Sequence, residues 1–153
     1  MAFPYHAQET RFSCGAASMR MALASVGIKR TEKQLRRLLR TNTRRGTWHD
    51  AFPRVAETFG LSYTIQRDAS LADLKEHLRR GFVIIVCYYC LPEKVDHYAV
   101  LKRIDARSIH LWDPWFGPGH TLPVLHFMRA WRSDPRYDDE KRWFFALKKP
   151  QQA

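Results

Sequence analysis

The sequence predicts an α+β fold in which an N-terminal helical half packs on a C-terminal antiparallel sheet. Two observations predict it. Apolar segments with helix-capping patterns concentrate before residue 82, whereas the later part carries short apolar or alternating runs separated by turn residues. Helices grouped before strands favour this class over a fold of alternating helices and parallel strands.

Helices are predicted from apolar periodicity and from their capping residues. Cys14 to Val26 is apolar on nearly every side, and Gly27 follows as a left-handed C-cap. Capping-box patterns at Thr31 and Ser70 open two further helices. The remaining predicted helices run from about His49 to Phe59 and from Phe127 to Trp131.

Five strands are predicted from short apolar runs bounded by turns. They are Leu61 to Gln66, Phe82 to Cys90, His97 to Ile104, Ser108 to Trp112 and Arg142 to Lys148. The Gly- and Pro-rich stretch from Pro114 to Pro123 is predicted to be a loop.

The length of 153 residues suits one domain, so we predict a single domain over residues 1–153. No apolar run reaches the roughly 20 residues that span a bilayer, and the N-terminus lacks a signal-type apolar core. Three cysteines cannot pair completely, which agrees with a reducing compartment. We therefore expect a cytoplasmic protein without an integral membrane segment.

The chain is strongly basic, with a formal net charge of +11. Between Lys29 and Arg45 there are eight basic residues and one acidic residue, Glu32. This strip permits nucleic acid as a partner but does not favour it, because charge runs usually form solvated surface and no aromatic residues are interleaved.

The chemistry points to Cys14, which begins the apolar helix. A thiol at a helix N-terminus is expected to have a lowered pKa. A thiolate nucleophile needs a base and an orienting group, and His97 and Asp113 stand at the start of one predicted strand and the end of the next. Gln8, six positions before Cys14, supplies an amide donor for an oxyanion. The alternative is that Cys14 is a packing residue, as most isolated cysteines are.

Three motifs carry a family resemblance: Gln8 followed after five residues by Cys14-Gly15, the stretch His97-Tyr-Ala-Val, and the stretch Leu111-Trp-Asp-Pro. Together they resemble the papain-like cysteine peptidases, and more specifically the bacteriocin-processing, double-glycine leader peptidases and their stand-alone relatives. The resemblance extends from about Gln8 to Trp131. The chain departs from that branch in having Ser13 where Asp is frequent, and it has no transporter segment.

The resemblance implies a papain-like fold and hydrolysis of a peptide or protein substrate without a cofactor. It implies that Cys14 is the nucleophile, that His97 is the base and that Asp113 orients the imidazole. Gln8 and the backbone N–H of Cys14 would then stabilise the oxyanion.

Other candidate residues are assigned simpler roles. We expect His110 on the polar face of its strand, His77 on the polar side of a helix, and His6, His49, His120 and His126 at the surface. Cys87 and Cys90 should point to opposite faces of a strand, so they predict packing rather than a metal site. The loop residues Trp48, Trp115 and Phe116 are predicted to line the substrate cleft, with covering of the core as the alternative.

Three other functions remain open at this point. The same residues would serve an acyl or peptidyl transferase, since transfer also begins with a thioester. A non-catalytic peptide-binding domain and a basic nucleic-acid-binding domain are the other two. The intact set of Gln8, Cys14, His97 and Asp113 argues against the non-catalytic alternative.

Overall fold

The structure is a computed structural model that describes residues 2–150, and this range contains five helices and six strands. The helices are α1 (Cys14–Ser25), α2 (Glu32–Leu38), α3 (Ala51–Thr58), α4 (Leu71–Arg79) and α5 (Val124–Ala130). The strands are β1 (Ser62–Gln66), β2 (Val83–Cys90), β3 (Val95–Ile104), β4 (Ser108–Asp113), β5 (Gly117–Pro123) and β6 (Phe144–Lys148). The predicted α+β class is confirmed. Met1 and residues 151–153 of the predicted domain lie outside the described residues.

One antiparallel sheet contains all six strands in the order β1-β6-β2-β3-β4-β5. In the β3–β4 hairpin, Val100 lies opposite Trp112 and Leu101 opposite Leu111. One further step along this ladder brings Asp113 opposite Ala99. Because Ala99 is two residues from His97, Asp113 and His97 lie on the same face of the sheet.

Each face of the sheet carries its own apolar cluster. Helices α1, α2 and α3 cover one face, where Met19, Leu35 and Phe52 pack against Tyr98 and Val100. Helices α4 and α5 cover the other face. The sequence predicted the helices but not their division between two layers. Among residues 2–150, every helix is too short or too polar to cross a membrane.

Helix α1 ends as predicted. Gly27 has φ +89°, and the N–H groups of Gly27 and Ile28 donate to the carbonyls of Ala24 and Leu23. This pattern closes the helix by satisfying its last carbonyls, and the positive φ favours glycine at that position. The capping fixes where α1 ends, and Cys14 is its first residue.

The capping boxes at Thr31 and Ser70 are confirmed. The Thr31 hydroxyl accepts from the N–H of Gln34, and the Ser70 hydroxyl accepts from the N–H of Asp73. Helix α3 begins two residues later than predicted, and α5 begins three residues earlier.

The prediction of a loop from Pro114 to Pro123 is wrong over most of its length, because residues 117–123 form strand β5. Its proline content argued against a strand. However, β5 lies at the sheet edge, where one side of the strand needs no ladder hydrogen bonds and proline is tolerated. The turn that joins β4 to β5 contains Trp115 and Phe116.

Candidate active site

Cys14 lies where α1 meets the start of β3. Its sulfur accepts a hydrogen bond from the backbone N–H of Tyr98, with an N–S distance of 3.5 Å. The next residue, Gly15, lets the helix approach the 41–48 loop. A Cβ atom at position 15 would lie 2.7 Å from Thr47 Oγ1 and 2.8 Å from Thr47 Cβ. The local sequence therefore lets α1 begin close to both β3 and the 41–48 loop.

Cys14 and His97 line the same open cleft, which has a volume of about 410 Å³. Residues 43–47 of the 41–48 loop and the start of β3 contribute to its walls, together with Asp134 and Tyr137 from the segment after α5. Trp115 also borders it. The structure thus brings together two of the predicted catalytic residues and one of the three predicted cleft aromatics.

The imidazole of His97 is buried among aromatic rings. It is 5% exposed, and its centroid lies 5.7 Å from that of Phe116 and 6.0 Å from that of Tyr88. Neither ring nitrogen has a hydrogen-bond partner within residues 2–150. Burial lowers the pKa of His97, although the charge of Asp113 acts in the opposite direction. His97 is therefore a neutral imidazole at neutral pH in this structure.

Asp113 is fully buried and accepts three hydrogen bonds. One oxygen accepts from the hydroxyl of Tyr88 at 2.5 Å, and the other accepts from the N–H groups of Trp115 and Phe116 at 2.9 and 3.0 Å. The expected hydrogen bond from His97 is not formed. Tyr88, the cross-strand partner of His97, holds the oxygen instead.

Gln8 is tied to the loop before α1. Its backbone N–H donates to the carbonyl of Pro114 at 2.9 Å, and its side-chain amide donates to the carbonyl of Thr10 at 2.7 Å. A primary amide has two N–H donors, so one hydrogen remains for another acceptor. The first bond also fixes Gln8 next to the strand end that carries Asp113.

The prediction of a lowered Cys14 pKa is wrong for this structure. Burial raises the pKa of the thiol to about 12, and the N–H of Tyr98 only partly offsets this effect. The sequence showed the helix N-terminus but not how closely Thr47 and Tyr98 enclose it. Together with the lowered pKa of His97, this gives a neutral thiol and a neutral imidazole in the same cleft.

The three predicted cleft aromatics are exposed to similar extents, at 41% for Trp48, 44% for Trp115 and 43% for Phe116. Trp48 packs over the guanidinium of Arg45, at 4.9 Å from the ring centroid. Phe116 stacks on His120 at 4.7 Å. None of the three belongs to either apolar cluster of the sheet, and their contact with substrate remains a prediction.

His49 was predicted to lie at the surface, and this is wrong. The side chain is buried, its Nδ1 lies 2.6 Å from the hydroxyl of Tyr98 and its Nε2 lies 2.7 Å from that of Ser133. Its ring also stacks on Trp143 at 4.1 Å. Its partners are 49 or more positions away in sequence, which explains why local polarity did not reveal its burial.

Sequence reasoning also missed an ion pair in the cleft wall. Arg45 donates a hydrogen bond from each terminal nitrogen to one oxygen of Asp96, both at 3.0 Å, and both side chains are nearly buried. Asp96 also accepts from the backbone N–H of Asp134 at 2.9 Å. This pair joins the 41–48 loop, the start of β3 and the 133–137 segment directly beside His97.

The remaining basic residues of the 29–45 strip are mostly solvated. Arg45 is buried and Arg36 is paired with Glu9 and Glu32, whereas the other six are exposed. The expectation of opposite faces for Cys87 and Cys90 is confirmed, since each packs in a different apolar cluster.

A family model described as the Peptidase_C39 like family matches residues 1–137. The chain belongs to this family. The resemblance found in the sequence is thereby confirmed. Among curated proteins, none matches the chain.

Solved structures share the fold of this Peptidase_C39 like chain. A putative C39-like peptidase from Bacillus anthracis has a TM-score of 0.77 at 14% identity, covering 98% of this chain and 96% of that one. The peptidase domain of Streptococcus ComA, described as a bi-functional ABC transporter involved in a quorum sensing pathway, has a TM-score of 0.76 at 17% identity and coverages of 97% and 100%. A double glycine motif protease from an AMS/PCAT transporter has a TM-score of 0.75 at 23% identity and coverages of 96% and 91%.

Proposed function

We propose that this chain is a cysteine peptidase that uses Cys14 as nucleophile, His97 as base, Asp113 as orienting residue and Gln8 as oxyanion donor. The observation that carries the proposal is that Cys14 and His97 line one cleft in a chain that belongs to a peptidase family. Cys14 is also the one cysteine of the three that borders this cleft.

The neutral resting pair defines how the reaction begins. The thiol proton passes to an imidazole nitrogen of His97 as the sulfur attacks the substrate carbonyl carbon, so the thiolate forms only when substrate is present. This transfer requires the His97 imidazole to turn toward the sulfur, and no hydrogen bond to the described residues holds the ring in its present orientation. Asp113 lies on the same face of the sheet and stabilises the imidazolium that results.

The oxyanion formed by this attack needs hydrogen-bond donors. The free amide hydrogen of Gln8 and the N–H of Cys14 at the start of α1 supply them, and one such donor is worth about 3 kcal/mol in a comparable site. The imidazolium then gives its proton to the leaving amine, leaving a thioester on Cys14. Water hydrolyses the thioester with His97 again as base, which releases the acid and restores the thiol.

The substrate is proposed to be an extended peptide, with leader-peptide processing as the specific role. One structure with the same fold is a double glycine motif protease in complex with its leader peptide, which supports this class of substrate. The open cleft and the exposed ring of Trp115 beside it suit a peptide segment with an apolar side chain.

The proposal is tested by incubating the protein with a diverse peptide pool and identifying new termini by mass spectrometry. We expect cleavage by the parent and none by Cys14→Ala, while Cys87→Ala keeps cleavage because Cys87 lies outside the cleft. Cleavage that survives Cys14→Ala would exclude Cys14 as the nucleophile.

The same assay separates hydrolysis from acyl transfer. A supplied amine that appears in the product in place of water would indicate a transferase. Binding of peptides without any new terminus in the parent protein would indicate a non-catalytic peptide-binding domain.

A further inference from the structure

His49, Asp138 and Glu140 form a cluster near the hydroxyl of Tyr98, whose backbone N–H contacts Cys14. Each offers one potential ligand atom, and these atoms lie within 4.8 Å of one another. His49 stands two residues before α3, and the two acids belong to the segment between α5 and β6. The cluster therefore joins two segments that are distant in sequence, and it lies outside the residues proposed for catalysis.

The hydrogen bonds around His49 indicate which of its nitrogens carries a lone pair. The hydroxyl of Tyr98 donates its single hydrogen to the carbonyl of Thr47 at 2.7 Å, so it accepts from Nδ1 of His49. The neutral ring then carries its hydrogen on Nδ1 and a lone pair on Nε2. Metal-binding histidines have this arrangement, in which the other nitrogen donates to a fixed acceptor.

A carboxylate oxygen faces that lone pair. Glu140 Oε2 lies 3.4 Å from His49 Nε2, is buried, and has no hydrogen-bond partner among the described residues. The tautomer set by Tyr98 leaves no hydrogen on Nε2 for Glu140, and the hydroxyl of Ser133, 2.7 Å from Nε2, is the donor that a cation would replace. Two acceptor atoms this close favour a cation between them.

The neighbouring arginines leave the acids available. Arg45 is bound to Asp96 by two hydrogen bonds of 3.0 Å, whereas its contact with Asp138 is longer, at 3.8 Å. Arg67 bonds the other oxygen of Glu140, Oε1, and its side chain is 49% exposed, so water screens its charge. Asp138 and Glu140 thus offer two carboxylates beside the imidazole of His49.

We propose that His49, Asp138 and Glu140 bind a divalent cation of the zinc class. An imidazole with two carboxylates suits Zn²⁺, whereas calcium and magnesium prefer sites made of oxygen ligands alone. Ser133, whose hydroxyl lies 2.7 Å from Nε2, or water would complete the coordination.

The bound cation would fasten the 133–141 segment to the start of α3. The same segment supplies Asp134 and Tyr137 to the wall of the cleft. Metal binding is therefore expected to stabilise that wall, whatever reaction the cleft performs.

The test measures binding of Zn²⁺ to the folded protein by calorimetry and by thermal unfolding. It uses Cys14→Ala as the parent, because the Cys14 thiol is a competing zinc ligand. We expect one equivalent to bind and to raise Tm. Glu140→Gln and Asp138→Asn, each in that parent, should bind at least about 10-fold more weakly, as expected when a metal site loses a ligand. The control Asp139→Asn, at the adjacent residue whose side chain is 79% exposed, should bind as the parent does.

Several results would overturn the proposal. One is failure of the parent to bind one equivalent, and another is binding to Glu140→Gln and Asp138→Asn that matches the parent. Co²⁺ provides an independent readout, since a His and carboxylate site gives d–d absorption without a thiolate charge-transfer band. A thiolate band in this parent would instead assign the metal to Cys87 or Cys90.

Discussion

At the scale of single residues, the protonation state of Cys14 separates this site from one with a preformed ion pair. Burial raises its pKa to about 12, against about 9 for an ordinary thiol. The resting protein therefore holds a thiol, and in the proposed mechanism proton transfer awaits the substrate. Local sequence could not predict this, because the backbone that contacts the sulfur belongs to Tyr98, 84 positions away.

Alkylation of Cys14 by iodoacetamide should consequently be slow at pH 6 to 7 and accelerate throughout the range up to pH 10. A pKa raised by about three units leaves roughly 1000-fold less thiolate at neutral pH. Cys87, which is 1% exposed, should react more slowly still. Peptide mapping across a pH series measures both rates, and a Cys14 rate that levels off below pH 7 would contradict the structure.

A second residue-scale prediction concerns Tyr88, whose hydroxyl holds an oxygen of Asp113. Tyr88→Phe frees that oxygen to accept from His97, which should raise the pKa of His97. In the proposed mechanism the neutral imidazole is the active form, so the acidic limb of the kcat/KM profile should move to higher pH. The buried carboxylate also loses a donor, at a cost of about 2 kcal/mol in unfolding free energy.

A pH–rate profile with a cleaved peptide and a urea titration measure the two effects of Tyr88→Phe. Tyr89→Phe is the matched control, because Tyr89 is the next residue of β2 and its side chain points to the other face. An unchanged acidic limb in Tyr88→Phe would show that Tyr88 does not compete with His97 for Asp113.

At the scale of elements, the contact between α1 and the 41–48 loop decides where the thiol lies. Gly15→Ala should destabilise the fold by about 1–3 kcal/mol, although alanine favours helix by about 1 kcal/mol. The added Cβ would overlap Thr47, whose hydroxyl is already 2.7 Å from that of Thr41. Gly119→Ala, which meets nothing within 4 Å, is the control. Equal urea midpoints for the two variants would contradict the proposed close contact.

Most elements were predictable from sequence because their signals are local. The capping boxes at Thr31 and Ser70 and the left-handed Gly27 each depend on residues within one helical turn. Strand β5 was missed because its pairing with β4 and its place at the sheet edge are not local properties.

The same distinction applies to the candidate site. The positions of Cys14 and His97 at the starts of α1 and β3 followed from sequence, and the structure places both at one cleft. The hydrogen bonds that Cys14 accepts from Tyr98 and that Asp113 accepts from Tyr88 did not follow, because they depend on how α1 lies on β3 and on strand register.

At the scale of the whole molecule, His97 couples folding to pH. Its pKa is lowered by burial in the folded state, so between that value and about 6.5 the unfolded chain binds more protons than the folded one. Stability should therefore fall as pH decreases below about 6.5, with a slope from His97 of up to about 1.4 kcal/mol per pH unit. Glu32, whose pKa is raised by burial, acts in the opposite direction at lower pH.

Urea unfolding from pH 7 to pH 5, with a chelator present, tests this coupling. The unfolding free energy of His97→Gln should decline less steeply with falling pH than that of the parent, because glutamine takes up no proton on unfolding. His126→Gln, at an exposed position, is the control and should decline as the parent does. The comparison uses slopes, so it holds even if His97→Gln alters stability at pH 7. Parallel curves for His97→Gln and the parent would mean that His97 is solvated in solution, and the neutral thiol–imidazole pair would then lose its physical basis.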